Sequence, residues 1–107
     1  MATEKYKISF HVPTEAVESV KSAMFNAGGG RLGHYDCCAW QTQGQGQFRP
    51  LSGSKPYIGK LNEITTVAEY KVEMICIAEV LVDVIAALKR SHPYETPSYH
   101  VLPLVDI

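Results

Sequence analysis

Twice in this chain an apolar rhythm of period two gives way to one of period 3.6, and that order limits the folds open to it. In residues 6–12, Tyr6, Ile8, Phe10 and Val12 alternate with Lys7, Ser9 and His11, the pattern of a half-buried strand. Pro13-Thr14 breaks the strand. Thr14 is the expected N-cap of a helix, and Glu15 and Glu18 sit where the helix dipole favours negative charge. Val17, Val20, Met24 and Ala27 give that helix one apolar face. Gly28-Gly29-Gly30 ends it, since glycine accepts the left-handed conformation of a C-terminal cap. The second occurrence starts with a strand over 69–77, with Tyr70, Val72, Met74 and Cys76 inward. A helix over 78–91 follows, with Leu81, Val84, Ile85 and Leu88 as its stripe. Lys89 and Arg90 suit its negative end.

Each strand–helix unit leads into another strand. The first is expected over 34–43, with Cys37, Ala39 and Gln41 on one side and Cys38, Trp40 and Thr42 on the other. The last is expected over 98–105. Between the second and third strands, 44–67 holds glycines at 44, 46, 53 and 59 and prolines at 50 and 56, with room for short pairing around 47–51. Loops beyond about 12–15 residues are usually functional or disordered. The order is strand, helix, strand, long excursion, strand, helix, strand. That is the split βαβ, or ferredoxin-like, α+β arrangement. Right-handed crossovers place both helices on one face of a four-stranded antiparallel sheet. The other face carries Lys7, Ser9 and His11, and either Trp40 or the Cys37/Ala39 pair. A large aromatic there would mark a subunit contact.

Composition narrows the function classes. A chain of 107 residues with 46% hydrophobic content can build one core without metal or disulfide staples. Net charge is −1 and the ten Lys and Arg residues are scattered, so nothing points to nucleic acid or an anionic membrane surface. No apolar stretch reaches the roughly 20 residues of a membrane span. The polar lead 1–6 has no signal-like apolar region, and three cysteines is an odd number. Reduced thiols in a cytoplasm are the expectation.

Chemistry concentrates in a few places. His92-Pro93-Tyr94-Glu95-Thr96-Pro97 sets two prolines within six residues, a fixed corner carrying an imidazole, a phenol and a carboxylate. It serves either as a ligand or metal site, or as a structural clasp in which His92 caps the helix, Tyr94 packs its ring and Glu95 accepts backbone or cationic partners. The 28–33 segment with Arg31 could cradle an anion, or simply stop the helix. Alternation along the expected second strand puts His34, Asp36 and Cys38 on one side as a row of metal-capable donors, with no evident fourth ligand and no Cys-x-x-Cys pair. Buried cysteine is commonly just a small hydrophobe. In the excursion, Phe48, Arg49, Tyr57 and Lys60 offer contact groups. Alternatively, the excursion packs on its own domain or a neighbour. No catalytic template is present: no Gly-x-Ser-x-Gly, Walker loop or His-Glu-x-x-His.

Three blocks occur in order: Gly28 to Asp36; Gly44 to Leu51 with Pro56-Tyr57-Ile58-Gly59; and His92-Pro93-Tyr94-Glu95. Together they resemble the inserted middle domain of the NGG-one-interacting-factor-three-like (Nif-three) proteins. The last block is also similar to the corner of CutA, a trimeric protein linked to divalent-cation tolerance. Both belong to a set that resembles the PII signalling proteins in fold. The dinuclear metal site that the Nif-three family builds from two flanking domains has no counterpart in these residues, so the resemblance does not bring hydrolase chemistry with it. It implies a non-enzymatic ligand-sensing or protein-interaction module acting as a homo-oligomer, with a trimer preferred. The candidate ligand site is Arg31, His34, Phe48, Arg49, Tyr57, His92, Tyr94 and Glu95. Two alternatives stand beside it. One is a divalent copper or zinc protein with His34, Asp36, Cys38, His92 and Glu95 as ligands. The other is an enzyme acting on a nucleotide or small metabolite, by analogy with the full-length family.

Overall fold

The computed structural model describes residues 4–107; the start of the polar N-terminal lead, 1–3, lies outside the described residues. The four strands are β1 (Lys5–Pro13), β2 (Trp40–Phe48), β3 (Thr65–Ile77) and β4 (Tyr99–Pro103). They form one antiparallel sheet in the order β2-β3-β1-β4. The two strands with the cleanest apolar alternation take the centre, where both edges are paired. Their register sets Ile8 opposite Met74, Phe10 opposite Val72 and Val12 opposite Tyr70. Helices α1 (Val17–Asn26) and α2 (Leu81–Ser91) cross the same face. Val20 and Met24 from α1 and Val84 and Leu88 from α2 are fully buried against Ile8, Phe10, Val12 and Val72. This is the expected ferredoxin-like α+β fold.

Helix starts differ from the expectation. Thr14 does not cap α1 through its side chain. It opens a 3-10 turn over Thr14–Ala16, and its hydroxyl donates to the Ala68 carbonyl at 3.3 Å. A matching turn, Ala78–Val80, leads into α2. The glycine stop holds. Gly28 is left-handed at φ 109°, and the Gly29 amide donates to Met24 O. Gly30, at φ 73°, donates to Ile75 O at 2.8 Å and so stitches the end of α1 to β3. A Cβ there would lie 2.7 Å from the Phe25 ring and 2.8 Å from Cys38 O.

The second strand is the main correction. It runs from Trp40 to Phe48, six residues later than the sequence pattern suggests. Residues 34–38 cannot extend, because Cys38 N–H returns to Gly30 O, Leu32 bridges Tyr35, and Cys37 is left-handed at φ 54°. Gly44 and Gly46, read from sequence as the start of a loop, instead pair with Glu69 and Val67. As an edge strand exposed along most of its length, β2 needs no apolar alternation. With β3 beginning at Thr65, the excursion shrinks from 44–67 to 49–64. The last strand is likewise shorter than 98–105.

Phe10 is the largest fully buried side chain and sits where both helices meet the central strands. Phe10→Ala is expected to lower unfolding stability by about 3–5 kcal/mol, read as a fall in the urea midpoint.

Candidate functional site

Strand alternation gives the sheet a second face, away from the helices. Onto it project Lys7, Ser9 and His11 from β1, Glu69, Lys71 and Glu73 from β3, and Trp40, Thr42, Gly44 and Gly46 from β2. The excursion and the late proline corner rise over this face and enclose a cleft of about 730 Å³. Gly44 and Gly46 leave part of its floor as bare main chain. Phe48, Pro56 and Tyr57 line it from β2 and the excursion, Tyr94 and Glu95 from the corner. The Lys55 amide donates to Glu95 Oε2 at 3.0 Å and joins the two walls.

The corner is held from beneath. His92 ends α2 in an extended conformation, φ −74° and ψ 134°, as the following Pro93 requires. It is only 6% exposed. Its Nε2 lies 2.7 Å from His11 O and its Nδ1 accepts the Tyr94 amide at 3.1 Å. That pair of partners fixes a neutral ring with the proton on Nε2. Burial holds the imidazole below its ordinary pKa, while the bond to His11 O and the charge of Glu69 oppose that shift. Tyr94 packs on His92 with ring centroids 4.9 Å apart and donates its hydroxyl to Glu69 Oε2 at 2.6 Å. Burial first, then the bond to Glu69, pushes the phenol pKa up, so it stays protonated and donating. Phe48 and Tyr57 tilt around Tyr94 at 6.1 and 6.2 Å.

Glu69 is the hub on the sheet side. It is a carboxylate only 9% exposed, and it occupies the space a side chain at Gly46 would need. Further along the face, Lys7 and Lys71 reach Glu73 at 2.8 and 3.3 Å. The Lys7 ammonium holds the Glu73 carboxyl below the usual carboxylate range, against the effect of burial. Trp40 lies at the far end of the cleft, 62% exposed.

The residues expected from sequence divide between two places. Phe48, Tyr57, Tyr94 and Glu95 line the cleft, and His92 supports it from behind with both ring nitrogens engaged. Arg49 is exposed beyond the end of β2 and is not part of the lining. Arg31, His34 and Asp36 sit in a shallow turn before β2, at the opposite end of that strand from the excursion. The proposed ligand row of His34, Asp36 and Cys38 is lost with the strand that would have aligned it. The Cys38 thiol contacts Asp36 O at 3.6 Å, and the row does not meet His92 or Glu95. Among the described residues no three His, Cys, Asp or Glu side chains are grouped to hold a metal ion. Cys37, Cys38 and Cys76 are free thiols, and burial pushes that of Cys76 up. Sequence reasoning missed Glu69, Lys71 and Glu73. Charged residues alternating with apolar ones at 69, 71 and 73 are the available signal, but only the pairing with Gly44 and its neighbours shows that they face a cleft.

The fold is that of a CutA- and PII-like α+β domain. CutA1 from Shewanella sp. SIB1 superposes with a TM-score of 0.70 over 99% of this chain and 86% of its own, at 15% identity. The GlnK–ATP complex of B. subtilis superposes at 0.62 over 97% and 84%, also at 15%. These show the fold alone. A Bacillus cereus protein related to NIF3 reaches 0.83 at 33% identity, over 99% of this chain and 27% of its own. A GTP cyclohydrolase 1 type 2 homolog of Bacillus subtilis is 41% identical over 98 residues, 92% of this chain and 26% of the relative. The chain belongs with the inserted, CutA-like domain of the Nif-three-like family, and it spans about a quarter of the length of the curated relatives it matches. No family model matches it. Among the described residues no helix is long and apolar enough to cross a membrane.

Two outcomes follow from the clasp. The unfolded chain takes up the His92 proton at a higher pH than the folded chain does. Stability attributable to His92 is therefore full above about pH 6.5 and falls as pH drops below it toward the lowered folded value. Urea midpoints measured down through that window are expected to fall less steeply for His92→Gln than for the parent. Tyr94→Phe, which leaves a buried carboxylate without its donor, is expected to cost about 1–3 kcal/mol.

Proposed function

We propose that the chain is a non-enzymatic ligand-binding module of the CutA/PII-like kind, that it works in a cytoplasm as a homo-oligomer with a trimer preferred, and that its ligand cleft is the groove between the excursion and the proline corner. The observation that carries this reading is the cleft itself. Two segments distant in sequence, 49–64 and 92–98, converge over one sheet face and are tied together by the Lys55–Glu95 bond. Its volume of about 730 Å³ lies within the 300–1,000 Å³ usual for small-molecule sites. Its lining is aromatic and backbone-rich with a few fixed polar groups, which suits recognition. The one imidazole in the corner is spent on structure, with both nitrogens bonded inside the domain.

Self-association is supported by the two edges of the open face. Trp40 and Leu102 lie on its two edge strands, 62% and 52% exposed, and give each edge an apolar side chain that a further copy could cover. The name of the B. subtilis relative refers to a whole protein about four times the length matched here, so a cyclohydrolase activity is not assigned to this domain.

Native mass spectrometry of protein from its source tests both parts. It is expected to show more than one copy per particle and a retained small molecule. Tyr57→Ser, a change at a half-exposed wall residue, is expected to lose the small molecule and keep the subunit number. A strictly monomeric species at micromolar concentration would defeat the oligomer, and retention undiminished by Tyr57→Ser would defeat the assignment to the cleft.

A further inference from the structure

We infer that the cleft selects an organic cation, an ammonium group carried on a compact apolar body, and rejects nucleotide phosphates. The inference rests on reading the cleft as the ligand site and names the chemistry it takes. Three carboxylates, Glu69, Glu73 and Glu95, border the cleft against a single lysine, Lys71. That lysine is already bound to Glu73, which Lys7 also neutralises. Glu69 and Glu95 have no cationic partner among the described residues.

Glu69 is the decisive group. It is nine-tenths buried, its Oε2 is taken by Tyr94, and its Oε1 has no donor among the described residues. Yet no polar side-chain atom among them is both sealed from solvent and unpartnered, so Oε1 keeps its opening to the cleft. The one side-chain donor to Glu69 is a neutral hydroxyl, so a cation entering the cleft would meet a carboxyl group that no other cation claims.

Its surroundings suit a cation with apolar substituents. The phenol that holds Glu69 belongs to a cluster of three rings, with Phe48 and Tyr57 tilted 56° and 51° to Tyr94 at about 6 Å. Non-parallel rings present faces in more than one direction, and an ammonium within about 6 Å of a ring face is attracted by its quadrupole. Gly46 lets this carboxylate lie flat against the strand, so the anion is held at the foot of the cluster. A triphosphate brought to the same place would meet Glu69 and Glu95, and among the lining residues described the one lysine, Lys71, is already paired with Glu73.

Calorimetric titration of the full chain with choline, with its neutral isostere 3,3-dimethylbutan-1-ol, and with ATP decides the matter. Choline is expected to bind at least about tenfold more tightly than the alcohol, with amide shifts at Gly46 and Tyr94, and ATP is expected not to bind there. Glu69→Gln, which still accepts the Tyr94 hydroxyl, is expected to weaken choline about tenfold. Tyr57→Leu, at a half-exposed ring, provides a second variant that the core does not depend on, and it is expected to weaken choline several-fold more than it weakens the alcohol. Equal binding of choline and alcohol, indifference to Glu69→Gln in a folded variant, no choline binding at millimolar concentration, or preference for ATP would each overturn the inference. Alcohol bound as tightly as choline, or ATP bound, with shifts at the same amides would remove the cation assignment and leave the ligand cleft standing. The cleft reading itself fails only through the Tyr57→Ser measurement on the retained molecule.

Discussion

One proton, carried on Nε2 of His92, ties the end of α2 to the His11 carbonyl of the central strand. Everything on the open face is stacked on that tie. With its other nitrogen the same ring receives the Tyr94 amide and so fixes where the Tyr94 ring stands. Tyr94 in turn fixes the Glu69 carboxylate and meets Phe48 and Tyr57. A helix terminus, a strand carbonyl and an excursion are thereby locked into one geometry through a single neutral imidazole. Its burial keeps it neutral, and its neutrality lets it accept as well as donate.

The layered core could be read from the chain because it obeys periodicity. Ile8, Phe10 and Val12 alternate, Val84 and Leu88 recur at helical spacing, and each set is buried on one side. Where a segment has no buried side the pattern is silent. The later half of the edge strand, 44–48, rich in glutamine and glycine, looks like a loop for that reason, and its glycines add to the impression. The false start of that strand, over 34–39, has the opposite cause. Its alternating side chains are real, but a left-handed Cys37 and the return of Cys38 to Gly30 are tertiary facts with no local signature. The metal row of His34, Asp36 and Cys38 inherited that error.

The site was half legible. Two prolines around Tyr94 and Glu95 announce a rigid corner, and the aromatic residues of the excursion announce contact groups. Glu69 is harder to see, because a glutamate at the head of a strand is ordinarily a solvated charge. Only the pairing of β2 with β3, which lays Gly46 beside it, turns that charge into a buried one. The curated relatives are named for GTP, while the charges bordering this cleft point away from phosphate. A domain matching about a quarter of a larger relative need not share the chemistry for which the whole is named.

Gly44 and Gly46, two positions apart on the same strand, answer differently to an added methyl group. Above Gly44 there is open space, so a larger residue would raise the floor and shorten whatever fits there without disturbing the sheet. At Gly46 the newcomer would collide with Glu69 and unhook Tyr94 from it. One glycine acts as a depth gauge that divergence can reset; the other is a keyway, and filling it would unlock the clasp.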